Sequence, residues 1–110
     1  MRGQRLRLYF SETDRYHGHR LSDTILRRAM EHGLRGATLF RGVLGFGRRG
    51  IRSTSILRLS ESLPVVVEIV DAVEPTENFL KEILEMAPHI LVTREEVDLF
   101  DLRDFPASSS

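Results

Sequence analysis

Residues 41–52 combine closely spaced glycines with arginines, a composition typical of a loop that binds an anion or a protein partner. Four glycines stand between positions 42 and 50, and glycine allows backbone conformations in which several N–H groups converge on one ligand. The arginines add cationic donors that no hydrophobic core requires. An aromatic side chain between two glycines favours docking, either on the protein itself or on a partner. The candidate binding residues of this loop are Arg41, Gly42, Gly45, Phe46, Gly47, Arg48, Arg49 and Arg52.

A second candidate binding site precedes the first predicted helix and comprises His17, Gly18, His19 and Arg20. Helix N-termini commonly hold phosphates and carboxylates, so cationic donors placed there would assist the binding of an anion. The two histidines, together with Glu12 and Asp14, could instead bind a divalent metal, although their spacing is nonspecific. A solvated loop without any ligand is the third interpretation of the same residues.

The sequence gives little support for catalysis, and we expect a protein that is not an enzyme. Because the chain has no cysteine, disulfides, thiolate metal sites and cysteine nucleophiles are excluded. The glycine-rich loop lacks the lysine and the following helix of a nucleotide-binding P-loop. The serines have no nucleophile-elbow context. We expect no obligatory cofactor.

Length and charge narrow the class of protein further. The 110 residues fit one domain, which we expect to span residues 1–100 and to precede a disordered tail at 101–110. A formal net charge of zero argues against general nucleic-acid binding, which requires a positive field. No apolar run approaches the length of a membrane span, so we expect no membrane insertion and a cytoplasmic location.

The hydrophobic pattern predicts four strands and two helices. Alternation from Arg5 to Phe10 is typical of a half-buried strand, and three- and four-residue spacing from Arg20 to His32 is typical of an amphipathic helix that ends at Gly33. Pro64 is expected at a sheet edge or a bulge, because proline cannot donate to a strand ladder. The remaining predicted elements are a strand at Ala37–Leu44, a strand made of the two segments Ser55–Leu59 and Val65–Val70, a strand at Ile90–Val92 with a second piece at Val97–Phe100, and a helix from Pro75 to Pro88 with the apolar stripe Phe79, Ile83, Leu84 and Met86.

The resulting order β-α-β-β-α-β predicts an α+β, ferredoxin-like fold with both helices on one face of a four-stranded antiparallel sheet. The opposite face, called the open face below, is predicted to mix apolar and charged side chains. Such a face favours packing against the same face of other subunits, and a monomer with a mixed surface is the alternative. The predicted open-face residues are Arg7, Tyr9, Leu39, Arg41, Val43, Val66, Glu68 and Val70.

Three stretches of the chain resemble the bacterial family catalogued as domain of unknown function 190, over roughly residues 5–100. They are the run Leu8–Gly18 with its His17-Gly18 pair, the run Gly36–Gly47 with Gly45-Phe46-Gly47, and the run Leu57–Asp71. The family is grouped with PII-like signalling proteins. The resemblance therefore implies a PII-like subunit, a homotrimer with its sheets facing inward, and a long loop after the second strand that meets partners.

In PII proteins, adenine nucleotides bind between subunits at the base of that long loop, and Gly42, Gly45 and Gly47 correspond to this element. We therefore expect a homotrimeric regulatory protein that binds a small anionic effector, for which an adenine nucleotide is one candidate. The 45–55 loop would contact a protein partner, for which a membrane transporter or channel is one candidate. The alternatives left open are a divalent-metal-binding or metal-tolerance protein that uses His17 and His19, and a structural trimer without a ligand.

Overall fold

The computed structural model describes residues 1–42 and 63–105, which form a four-stranded antiparallel sheet with two helices on one face. Along the sheet the strand order is β4-β5-β1-β6, so the predicted ferredoxin-like fold is confirmed. A two-stranded hairpin, β2–β3, lies between Ser11 and α1, where the polar sequence of residues 11–19 predicts a loop. The elements are β1 (Arg2–Ser11), β2 (Arg15–Tyr16), β3 (His19–Arg20), α1 (Leu21–Glu31), β4 (Ala37–Arg41), β5 (Pro64–Ala72), α2 (Val73–Met86), β6 (Leu91–Asp98) and a 3₁₀ turn (Leu102–Asp104).

The hydrophobic core lies between the helices and the two central strands. Leu6 and Leu8 of β1 are fully buried, and so are Val67 and Ile69 of β5, because alternate residues of both strands point to the helices. Full burial of each such side chain contributes about 1.5–3 kcal/mol to folding. From the helices, the core receives Leu21, Ile25, Ala29, Phe79, Ile83 and Met86.

Helix α1 ends where the sequence predicted, in a left-handed glycine cap. Gly33 has φ +71°, its N–H donates to the Met30 carbonyl over 3.0 Å, and the Leu34 N–H donates to the Ala29 carbonyl over 3.2 Å. This pair of hydrogen bonds is a Schellman motif, which satisfies carbonyls that the helix end would leave unpaired. The cap directs the chain from α1 into β4.

Further details of the secondary structure differ from the sequence-based predictions. Pro64 is neither at an edge nor in a bulge: it is the first residue of the central strand β5, a position where its missing N–H breaks no ladder. Leu84 is 65% exposed, because the buried face of α2 follows Thr76, Phe79, Ile83 and Met86 instead. The last strand is continuous from Leu91 to Asp98.

Strand register assigns the side chains of the open face. Leu39 is paired with Val67 and Arg41 with Val65, so both lie on the helix side, and their predicted place on the open face is wrong. Val43 lies outside the described residues. The described open-face residues are Arg5, Arg7, Tyr9, Thr38, Phe40, Val66, Glu68, Val70, Leu91, Thr93, Glu95 and Val97.

The open face still mixes apolar and charged side chains, as predicted. Phe40 is 52% exposed on it, while Arg5 pairs with the directly opposite Glu95. The Nε of Arg7 donates to Glu68 over 3.1 Å. Charges that are already paired are cheaper to desolvate than isolated ones, so this face is suited to burial against another surface.

Candidate functional site

The β2–β3 hairpin presents the first group of candidate residues to solvent. His17 and Gly18 form its two-residue turn with φ +49° and +81°, the pair of positive φ values that a type I′ turn requires. Only glycine takes such a value without steric cost, and histidine is among the more tolerant residues. The Tyr16 and His17 rings stack with their centroids 4.1 Å apart. His17, Gly18, His19 and Arg20 are all exposed.

A tight turn at Ser11–Asp14 joins this hairpin to the sheet and to α1. The Asp14 N–H donates to the Ser11 carbonyl over 3.0 Å, and the Asp14 carbonyl accepts the Leu21 N–H over 2.9 Å. Arg20 is the N-cap residue of α1 and has no side-chain capping hydrogen bond. The turn therefore fixes the helix N-terminus, with the cationic Arg20 beside it, at the end of β1.

The same turn contacts the two chain segments that flank residues 43–62. The Glu12 N–H donates to the Leu63 carbonyl over 2.8 Å, and the Glu12 carboxylate lies 2.7 Å from Nη2 of Arg41. The Gly42 N–H donates to the Pro64 carbonyl over 2.8 Å, and a Cβ on Gly42 would lie 2.8 Å from Pro64 Cγ. Glycine is therefore needed at position 42 for this close approach.

The turn between α2 and β6 completes the arrangement. Nε2 of His89 lies 3.6 Å from the Asp14 carboxylate, and the Ile90 N–H donates to the Ala87 carbonyl within the turn. We call this end of the sheet the binding end: the Ser11–Asp14 turn, the β2–β3 hairpin, Arg41 with Gly42, and His89. Elements distant in sequence thus converge at Arg41 and Gly42, the two described residues of the glycine- and arginine-rich segment.

A sequence model of the DUF190 family (Uncharacterized ACR, COG1993) matches residues 3–99. The chain belongs to this family. A UPF0166 protein of Aquifex aeolicus is 41% identical over 98 residues, covering 88% of this chain and 92% of its own length. A UPF0166 protein of Methanocaldococcus jannaschii is 35% identical over 81 residues, covering 74% and 75%.

Solved structures of other proteins share the fold of this DUF190 chain. CPII of Thiomonas intermedia K12, solved with ADP and bicarbonate, gives a TM-score of 0.61 at 14% identity, over 90% of this chain and 89% of that one. A PII-like signaling protein of Thermus thermophilus gives 0.58 at 18% identity, over 94% and 92%. At these identities the likeness establishes the PII-like fold and nothing about the ligand.

Some of the binding residues predicted from the sequence lie together at the binding end, and others fall outside the described residues. His17, Gly18, His19 and Arg20 share the hairpin and the start of α1, while Arg41 and Gly42 lie at the end of β4. Gly45, Phe46, Gly47, Arg48, Arg49 and Arg52 lie outside the described residues. The role of each as a ligand-binding residue remains a prediction.

The sequence reasoning missed two contacts of the DUF190 binding end. We considered Glu12 and Asp14 as metal ligands or as residues of a solvated loop, and we assigned no contact to His89. In the structure Glu12 pairs with Arg41, and Asp14 faces His89, although the partners are far apart in the chain. Opposite charge was the available signal, and it does not identify partners at such separations.

Metal binding by His17 and His19 gains no geometric support. Among residues 1–42 and 63–105, no three His, Asp or Glu side chains are grouped so that they could hold a metal ion. No helix within these residues is long and apolar enough to cross a membrane. The donors that the binding end offers are guanidinium, imidazole and backbone N–H groups, which suit an anion.

Proposed function

We propose that this DUF190 chain is a PII-like regulatory protein, without catalytic activity, whose binding end holds a small anionic effector. The observation that carries the proposal is the convergence of exposed cationic and imidazole groups where the glycine- and arginine-rich segment joins the sheet. Arg20 is exposed at the start of α1, and Arg41 is half-exposed at the end of β4. Guanidinium groups bind phosphates and carboxylates through paired, charge-assisted hydrogen bonds.

Two further features of the binding end would strengthen the attraction. The first N–H groups of α1 and the positive end of its dipole favour a negative charge next to Arg20. The His17-Gly18 turn, with successive positive φ values, exposes its backbone at the hairpin tip. An adenine nucleotide is our first candidate effector, and the ADP and bicarbonate held by the Thiomonas intermedia protein make both molecules worth testing.

We also propose that the chain assembles as a homotrimer through its open faces. The exposed Phe40 and the half-buried Val66 and Val70 provide apolar contact area, while the Arg7–Glu68 pair is already satisfied within one subunit. A face of this composition is more stable when it is covered by another protein surface than in water. Sedimentation at micromolar concentration should give three times the 12.6 kDa mass of one chain.

The 45–55 loop, which lies outside the described residues, is the proposed contact with a protein partner. A cytoplasmic location and a membrane transporter or channel as the partner remain our proposals. In this scheme the effector changes how the partner meets the loop, because the effector contacts Arg41 and Gly42, which precede the loop in the chain. No chemical step on the effector is required.

Isothermal titration with ATP, ADP, AMP, cyclic dinucleotides and bicarbonate tests the proposed function. We expect at least one of them to bind, and we expect Arg41→Gln to weaken that binding. Arg103→Gln is the matched control, because Arg103 is an exposed arginine in the 3₁₀ turn that follows β6, at the other end of the sheet. The proposal would be contradicted if the two substitutions changed the affinity equally, or if none of these compounds bound to the protein.

A further inference from the structure

The ion pair between Glu12 and Arg41 joins a well-fixed carboxylate to a more mobile guanidinium. The Glu12 side chain is 21% exposed and its backbone N–H is bonded to Leu63, whereas the Arg41 side chain is 52% exposed. A long side chain that is half in solvent can leave its partner at little cost, because exposed ion pairs contribute only about 0.2–1 kcal/mol. If the pair opens, Arg41 is therefore the member that moves.

The position of the Glu12–Arg41 pair means that it affects the affinity of the binding end for an anion. Arg41 is the last residue of β4, and it is followed by Gly42, whose N–H is bonded to Pro64 on the neighbouring strand. Any anion that used the Arg41 guanidinium would have to compete with the Glu12 carboxylate, which carries the same charge as the anion. The carboxylate therefore lowers the affinity of Arg41 for every anion.

We propose that the Glu12–Arg41 pair is an internal counter-ion latch that an anionic effector must open, an inference that rests on the proposed function. In the closed state Glu12 is paired with Arg41, and this ion pair holds the end of β4 against the Ser11–Asp14 turn. Binding of the effector transfers Arg41 from Glu12 to the anion. The end of β4 is then released from the Ser11–Asp14 turn. This release transmits the bound state of the effector site to the segment that follows Gly42.

The first test compares anion affinity in two variants that each lose one negative charge. Glu12→Gln removes the competing carboxylate, and the 0.2–1 kcal/mol of an exposed pair predicts that ATP or ADP binds about 1.5- to 5-fold more tightly. Glu74→Gln is the control: it is exposed at the start of α2, at the far end of β5, roughly 25 Å away along the strand. Because this distance exceeds the Debye length of about 8 Å, the charge of Glu74 is screened at the binding end, and the Glu74→Gln variant should bind the anion with the affinity of the wild type.

The outcomes separate the latch from the proposed function. Tighter binding by Glu12→Gln than by Glu74→Gln supports the latch, including the case in which only Glu12→Gln binds detectably. Unchanged or weaker binding by Glu12→Gln, with a wild type that does bind, overturns the latch and leaves the proposed function standing. If none of the three proteins binds any of the anions, the proposed function and the latch are both overturned.

Amide hydrogen exchange gives a second measurement that needs no ligand. In the unliganded protein, Glu12→Gln should speed the exchange of the Gly42 N–H, because Arg41 no longer holds that end of β4. The Leu8 N–H in the middle of β1 serves as the internal control for folding, since Leu8 is fully buried between two paired strands. Unchanged exchange at Gly42 would show that the pair does not restrain β4, and would overturn the latch.

Discussion

Glu82 joins the two helices through a pair of short, charge-assisted hydrogen bonds. Nη1 of Arg28 donates to Glu82 Oε2 over 2.7 Å, and Nε2 of His32 lies 2.6 Å from Glu82 Oε1. Partial burial by itself would raise the pKa of Glu82, but the hydrogen bonds from Arg28 and His32 outweigh it and lower the pKa overall. The carboxylate is therefore stabilised in its charged form by both partners.

Glu82→Gln should lower the free energy of unfolding by about 1 kcal/mol. All three side chains are between 24% and 34% exposed, so solvent screening holds the effect near the upper limit for surface pairs instead of the value for buried ones. For a domain of this size, about 1 kcal/mol corresponds to a fall in Tm of roughly 4 °C. Differential scanning calorimetry at one fixed protein concentration measures it, because association makes Tm depend on concentration.

The pH dependence of this effect has a defined sign. A carboxyl group whose pKa is lower in the folded than in the unfolded state stabilises the fold at any pH above the unfolded value. That contribution is lost as the pH falls from about 4.5, the ordinary glutamate value, through the lower pKa of the folded state. The wild type and Glu82→Gln should therefore differ at pH 6 and converge in strongly acidic solution.

Glu85→Gln is the matched control, since Glu85 is an exposed glutamate on the same helix. We expect its Tm to stay within about 1 °C of the wild type, because surface substitutions usually change stability by no more than about 0.5 kcal/mol. The reasoning is refuted if the two variants have equal Tm values at pH 6. It is also refuted if the deficit of Glu82→Gln persists undiminished at low pH.

Two further substitutions test the open face and the helix cap. Phe40→Ser should shift the sedimenting species from the proposed trimer towards monomer without unfolding the chain, whereas Leu84→Ser, which removes a 65% exposed leucine from α2, should leave the proposed trimer intact. A trimer that is indifferent to Phe40→Ser would exclude the open face as the interface. Gly33→Ala should cost about 1 kcal/mol in chemical denaturation, because φ +71° is strained for alanine. Gly36→Ala, at a position without positive φ and with open space around it, should cost less, and the opposite ranking would contradict the cap.

The fold was predictable because local patterns agree with its long-range pairing. The alternation from Arg5 to Phe10 predicted a half-buried strand, and Leu6 and Leu8 of β1 are indeed buried, while Gly33 marked the end of α1. Strand β4 was assigned to the wrong face because both of its alternating sets contain a large apolar residue, Leu39 in one and Phe40 in the other. Only its pairing with β5 decides between them.

The interior of β6 was missed for a related reason. Thr93, Arg94, Glu95 and Glu96 have the composition of a polar loop, yet the strand lies at a sheet edge, where its charged side chains find partners on neighbouring elements. Arg5 pairs with Glu95 and Arg2 with Glu96, from directly opposite and diagonal positions on β1. Cross-strand ion pairs thus support a strand whose own hydrophobic pattern is weak.

At the binding end, the types of residue indicated where the candidate site lies, but the contacts between these residues could not be predicted from the sequence. Closely spaced glycines and cationic residues marked the hairpin and the start of the 41–52 segment, because such composition has few other uses. The pairing of Glu12 with Arg41 depends on β1 and β4 ending at the same edge of the sheet, one on each side of β5, which follows from the sheet and not from local sequence. The proposed latch could therefore be seen only once the fold was known.

An amide NMR titration of the labelled protein with ADP tests the central claim most directly, because it locates the bound anion on the chain. We predict that the N–H signals of Gly18, Arg20 and Gly42 shift together and saturate with one affinity. Shifts confined to the opposite end of the sheet, around Val97, would contradict the proposed site. So would unchanged signals at all three amides up to millimolar ADP.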